Sequence, residues 1–311
     1  MIRLGLCCIF RTEPIRFRRK TAASLKGLSR VEQLAVLASL CLQNARSLLQ
    51  ALHYCRDHGI GDFRINSQIL PLYTHPEIGY RIEELPGSAE IIGAFESCGT
   101  FCLEHELRTT LHPDQFILLS SPSEEVTRRS IAELNYQAEL SELVGADVIN
   151  IHAGGAYGDK KQALARLARR LEQLRPPVRE RLSLENDDRI YTPQDILPLC
   201  LAEGIPFVYD VHHHRCFADG LEVAQVTDAA LRTWNREPLF HLSSPREGWR
   251  GKNPCYHHDF INPEDFPATW LSLEEDLTVE VEAKAKELAV TTLRKDLVDQ
   301  VVVFPEDVLA E

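Results

Sequence analysis

The stretch Arg181-Leu182-Ser183-Leu184-Glu185-Asn186-Asp187-Asp188 decides the fold. Apolar residues lead up to one carboxylate, and two more carboxylates follow in a polar turn. A short strand that ends this way cannot bury its charge against a greasy core, because an unpaired buried carboxylate is very costly. The sequence therefore predicts a positive object at Glu185, and a cluster of metal ions fits that need. Other strand-like segments also end in His, Asp or Glu, and all are expected to converge on Glu185.

Outward from that strand, the same grammar repeats. Residues 2–9, 62–66, 107–111, 147–151, 206–209, 239–240 and 277–281 read as further strands, and their ends carry His112, His152, Asp210, His213, His241 and Glu282. Helical patterns lie between them at 29–59, 88–98, 123–144, 160–174, 193–203 and 221–234, and a last one runs on from about Ala283. Ser29 and Ser123 are expected N-caps, and Gly59 and Gly145 are expected stops. Strands alternating with helices, with no linker between them, predict a single α/β domain over residues 1–311, a (β/α)₈ TIM barrel. In such a barrel the residues just past the carboxyl ends of the strands share one rim.

Composition sets bounds on function. The chain has 311 residues, with 46 Asp+Glu against 34 Lys+Arg, a net charge of −12. That excludes a histone-like, sequence-blind nucleic-acid binder and leaves room for a local basic groove. Arg11, Arg16, Arg18, Arg19, Lys20 and Lys26 form such a basic stretch, either a solvated loop or a phosphate-contacting arm. Nine Cys without a CxxC pair are expected to be buried thiols in a reducing cytoplasm. Neither a signal peptide nor a membrane span is expected.

One lone His at a strand end is an ordinary structural residue. Six or more such ends on one rim would repel or go unsatisfied unless cations held them together. Imidazole with carboxylate and no thiolate ring suits Mn²⁺, Zn²⁺ or Fe²⁺ rather than Ca²⁺. His112, His152, Glu185, Asp210, His213, His241, His257 and Glu282 exceed what one ion takes, so two or three divalent ions are expected. Adjacent metals suit phosphoryl chemistry.

The same residues carry a family resemblance. Leu184-Glu185-Asn186-Asp187-Asp188, Tyr191-Thr192-Pro193, Asp210-Val211-His212-His213-His214 and His112-Pro113-Asp114-Gln115-Phe116 resemble the UV damage endonuclease family. So do His152-Ala153-Gly154-Gly155, His241-Leu242-Ser243-Ser244, His257-His258-Asp259-Phe260-Ile261 and Glu282-Ala283-Lys284-Ala285-Lys286-Glu287. The matches run in family order to about residue 290. The resemblance implies a TIM barrel similar to that of endonuclease IV. It implies nicking of duplex DNA immediately 5′ of ultraviolet photoproducts and some other lesions, with divalent metals and manganese prominent among them.

It also implies roles. Glu185 bridges two metals, His112 and His152 complete one site, and Asp210, His241 and Glu282 complete the second. His213 and His257 hold a third, with His258 the alternative to His257. Glu185, Asp210 and His241 are the expected catalytic residues. Gln115 and Phe116 are the expected wedge into the duplex, the alternative for Phe116 being core packing, and Arg11 and Lys284 are expected DNA contacts. Departures stand at Leu6, Phe10 and Leu239, where the family usually has Tyr, Asn and Lys. A sugar or metabolite enzyme on the same barrel is the other enzymatic reading, and a non-catalytic damage-binding module is a third. Damaged duplex DNA is the expected partner, with no membrane and no obligate protein partner.

Overall fold

In the computed structural model, residues 1–113 and 116–303 are described. Strands β1 (Ile2–Cys7), β2 (Asp62–Ile65), β3 (Arg108–Leu111), β4 (Val148–His152), β5 (Leu182–Glu185), β6 (Phe207–Asp210), β7 (Leu239–Leu242) and β8 (Leu277–Val281) are all parallel. They close in sequence order, β8 pairing back on β1, into a single (β/α)₈ barrel. Helices α1 (Arg30–Asp57), α2 (Ser88–Glu104), α3 (Glu124–Val144), α4 (Lys160–Leu171), α5 (Pro176–Arg179) and α6 (Pro193–Glu203) come first. The rest are α7 (Val211–Cys216), α8 (Val223–Leu231), α9 (Ala268–Leu271) and α10 (Glu287–Val303).

The start and stop signals act as read. Ser29 and Glu32 form a capping box at α1, Ser123 caps α3, and Gly145 takes the left-handed conformation that ends α3. Some boundaries differ from the pattern. β1 stops at Cys7, because Cys8 turns to φ 66° and breaks the strand. α2 continues to Glu104, carried by buried Phe101 and Cys102. α10 starts at Glu287, after an Ala-Lys-Ala-Lys loop. The segment after Asp210 is a short helix, α7, capped by the Asp210 side chain on His213 N.

The main apolar core lies between the outer barrel face and the helices. Leu6 is in it, and Phe10 packs on Tyr54 and Phe63 with ring centroids 5.1 and 6.0 Å away. The barrel interior is different. Residues paired in register on neighbouring strands face the same side, so the inward row can be followed around the barrel. Gly5 pairs with Asp62 and with Glu280, and a Cβ there would sit 2.3 Å from Asp62 Oδ2. Around it the interior carries Asp62 and Arg64, then Arg108, Thr110, Asn150, Ser183, Glu185, Asp210, His241 and Glu280. Val148, Val208 and Leu239 form a small separate apolar cluster in the same interior. A charged interior of this kind favours mutual pairing, and most of these groups find it, while burial pushes the unpartnered Asp62 carboxyl well above its ordinary pKa.

The basic arm after β1 is pinned to the start of α10. Buried Glu287 accepts from Arg11 N and Thr12 N, each at 2.7 Å, and from Thr12 Oγ1 at 2.7 Å. Burial raises its pKa, but the backbone donors outweigh that and hold the carboxyl below its ordinary range. Its stabilisation is therefore full above the ordinary carboxylate range and is lost as pH falls through the depressed value. Glu287→Ala removes the acceptor of these donors and of Glu13 N, and is expected to lower unfolding free energy by about 3 kcal/mol in urea titration at neutral pH.

Candidate metal centre

Glu185 ends β5 and is 1% exposed. Its carboxylate gathers side chains from the end of β3, from β4 and β7, and from α7. Oε2 lies 3.0 Å from His112 Nε2, 2.5 Å from Asn150 Nδ2 and 3.9 Å from His152 Nε2. Oε1 lies 3.1 Å from His241 Nδ1 and 3.5 Å from His213 Nδ1. Ser183 steadies Asn150 from the same strand, at 3.0 Å.

Two ligand-type triads share this residue. In His112, His152 and Glu185, and again in Glu185, Asp210 and His241, one donor atom of each residue lies within 4.8 Å of the others. Burial pushes the Glu185 carboxyl up. The charges of His241 and His152 and hydrogen bonds from His112 and His213 outweigh it and hold the pKa well below the carboxylate range. Burial lowers His213 and His241, yet facing carboxylates carry both well above the usual imidazole value. His152 is dominated by burial and shifts down. The cluster thus pits anionic oxygens against rings that take positive charge, the balance a cation would otherwise supply.

The residues fit divalent metals on two counts. Asp210 Oδ2 and His152 Nδ1 are buried without a hydrogen-bond partner, and imidazole with carboxylate is the donor chemistry of Zn²⁺, Mn²⁺ and Fe²⁺. The other expected ligands stand nearby. His213 Nδ1 is 3.3 Å from Asp210 Oδ2 and 3.1 Å from the Asn186 carbonyl oxygen. Glu282 follows β8, and its Oε1 accepts from Arg64 Nη1 at 2.6 Å. His257 Nδ1 reaches within 3.8 Å of Glu282 Oε2. His258 is exposed and its ring accepts from Phe260 N, so of the two neighbours His257 faces the cluster. Asp187 does not join it. Its carboxylate takes the amide N–H groups of Arg189, Ile190 and Tyr191 and closes the turn.

The expected substrate contacts fall around the mouth. Lys284 is exposed and lines a cavity of about 330 Å³ with Arg64, Tyr256, His257 and Glu282. Arg11 pairs with Asp259 at 3.3 Å and donates to the Lys284 carbonyl. Phe116 is 73% exposed, which rules out core packing, and it lines a groove of about 740 Å³ with Arg19, Lys20, Arg128 and Arg129. Gln115 lies outside the described residues. Arg64 and Glu280 were not in the expected set. Their signal was the alternation of Asp62-Phe63-Arg64-Ile65 and Glu280-Val281-Glu282, which puts a second charged row on the inward face.

The sequence profile described as UV-endonuclease UvdE matches residues 2–307. The chain belongs to the UV-endonuclease UvdE family. A UV DNA damage endonuclease of Bacillus velezensis is 35% identical over 301 residues, covering 93% of this chain and 91% of that one. Its counterpart in Bacillus cereus is 32% identical over 289 residues, with 89% and 88% covered. The solved structure of SacUVDE superposes with a TM-score of 0.85 at 27% identity, covering 97% and 99%. Endonuclease IV from Thermus thermophilus superposes at 0.55 and 19% identity over 81% and 94%, which shows the shared barrel. D-psicose 3-epimerase from Clostridium cellulolyticum does the same at 0.54 and 13%, over 82% and 92%. UvdE membership makes this chain a DNA repair endonuclease. Against that membership, Leu239, in the barrel's apolar cluster, and Leu6 and Phe10, in the outer core, read as packing positions. Among the described residues no helix is long and apolar enough to cross a membrane.

Proposed function

We propose that this protein nicks duplex DNA immediately 5′ of ultraviolet photoproducts or related lesions, with two or three divalent metal ions, Mn²⁺ foremost, held around Glu185. The observation that carries the reading is one buried carboxylate shared by two ligand triads. Bound there, such ions supply Lewis acidity for phosphodiester hydrolysis. His112 and His152 hold one side of Glu185. Asp210, His241 and Glu282 hold the other, and His213 and His257 serve a third position. Glu185, Asp210 and His241 are the catalytic residues on this reading, because they would hold the ions that act on the phosphate. Asn150 locks Glu185 Oε2 in place.

The DNA side is read from the mouth. Phe116 and Gln115 would enter the duplex opposite the lesion, where an aromatic face stacks on exposed bases. Arg11, Lys284 and the arginines along the Phe116 groove meet phosphates. The free thiols of all nine cysteines suit a cytoplasmic enzyme.

A plasmid-nicking assay tests the whole reading. Irradiated plasmid with Mn²⁺ should be nicked, while unirradiated plasmid or added chelator should give none. Absence of lesion-dependent nicking with any of Mn²⁺, Zn²⁺ or Fe²⁺ would sink it. Binding to lesion duplex should also fall steeply with salt, which a sugar-processing enzyme would not show. Phe116→Ala is expected to weaken lesion-duplex binding by about 1–3 kcal/mol in fluorescence anisotropy, with metal content unchanged.

A further inference from the structure

Two carboxylates stand two residues apart where β8 ends, Glu280 within the strand and Glu282 just past it. Glu282 belongs to the mouth, and Glu280 lies one row below it, fully buried. Glu280 Oε1 accepts from Thr110 Oγ1, and Oε2 accepts from Arg64 Nη1 at 3.0 Å. The same Oε2 lies 2.9 Å from His241 Nε2, with the ring N–H bent off the hydrogen-bond line. Bonds of this kind are often bent before the ligand they serve is bound. The other ring nitrogen, Nδ1, faces Glu185 at 3.1 Å. His241 therefore spans two carboxylates, one above it in the metal cluster and one below it. Leu239, two residues earlier, packs with Val148 and Val208 and offers that ring no polar contact.

We propose that Glu280 is the positioning residue that fixes His241 as an Nδ1 metal ligand, with Thr110 and Arg64 as its anchors. The inference rests on the metal reading above. A carboxylate against one imidazole nitrogen keeps a proton there and presents the lone pair of the other. Thr110 and Arg64 anchor the two Glu280 oxygens, and Glu280 stands outside both ligand triads, so it acts on the site through the His241 ring. Arg64 also holds Glu282, so one guanidinium sets the position of His241's support and of a second ligand.

The test compares full-length wild type, Glu280→Gln and Thr110→Val. Elemental analysis gives metal equivalents, Mn²⁺ titration calorimetry gives affinities, and circular dichroism checks the fold. Glu280→Gln should weaken the site that contains His241 by about 10- to 100-fold and leave the His112–His152 side near wild type. Thr110→Val should weaken the same site by a smaller factor. ¹⁵N-histidine spectra of the Zn²⁺-loaded wild type should show His241 bound through Nδ1 and protonated at Nε2. A folded Glu280→Gln with wild-type affinity, or coordination through Nε2, overturns the proposal. Should Glu280→Gln fail to fold, unchanged affinity in Thr110→Val overturns it. A wild type that takes up no metal defeats the metal reading itself, an outcome visible before any variant is compared.

Discussion

Glu185→Gln is expected to abolish lesion-dependent nicking, lowering the rate by about 10³-fold or more, and to remove metal from both triads at once. The size follows from sharing. His112 and His152 on one side and Asp210 and His241 on the other have Glu185 as their common oxygen donor. Loss of any other ligand leaves one triad complete, whereas loss of this one leaves none. The same change has a metal-free consequence. His241 and His213 face Glu185 across 3.1 and 3.5 Å, and the amide no longer balances their charge. Removing one partner from buried pairs of this kind costs about 3–5 kcal/mol, readable as a lower midpoint in chelator-treated protein. Asp187→Asn is the matched control, since Asp187 serves the turn. A Glu185→Gln protein that keeps its metal equivalents would show that the two triads do not share an ion bridge.

Arg64→Met should give the second large effect, this time on stability. Arg64 Nη1 sits 3.0 Å from Glu280 and 2.6 Å from Glu282, almost fully buried. A methionine fills similar space but leaves two buried carboxylates without their cation, a loss of about 3–5 kcal/mol in urea unfolding of the metal-free protein. On the metal reading, Mn²⁺ should shrink that deficit. The ion binds the folded chain and takes over the Glu282 oxygen that Arg64 held, so the variant gains more from metal than the wild type does. A deficit that stays constant across the Mn²⁺ titration would mean that Arg64 and the ions do not share Glu282.

Much of this was legible in the sequence because parallel strands end abruptly in polar residues. The run into Glu185, the His-Pro after β3 and the Asp-Val-His that begins on the last residue of β6 each mark a strand end by a change of chemistry. The barrel order follows from their alternation with helices. What lay beneath the rim was harder to see. Arg64 and Glu280 sit within strands whose every residue is buried, so no change of polarity marks their depth. Only the two-residue period separates the inward from the outward set, and four residues are too few to assign it without the register. His241 shows the same difficulty. It looks like a strand terminus but lies inside β7, because Leu242 still pairs with Val281. His257 and His258 are adjacent in sequence and differ only in which way the loop turns, a matter of tertiary packing.

Gly5 ties together parts of this chain that drift would otherwise treat as independent. A methyl at that position would land 2.3 Å from Asp62 Oδ2 and 3.1 Å from Glu280 Cγ. Alanine there would force the Asp62 carboxylate, and to a lesser degree the Glu280 stem, to move aside. Substitution at position 5 is thus coupled to the placement of two acidic side chains, so a missing side chain acts as an evolutionary constraint on them.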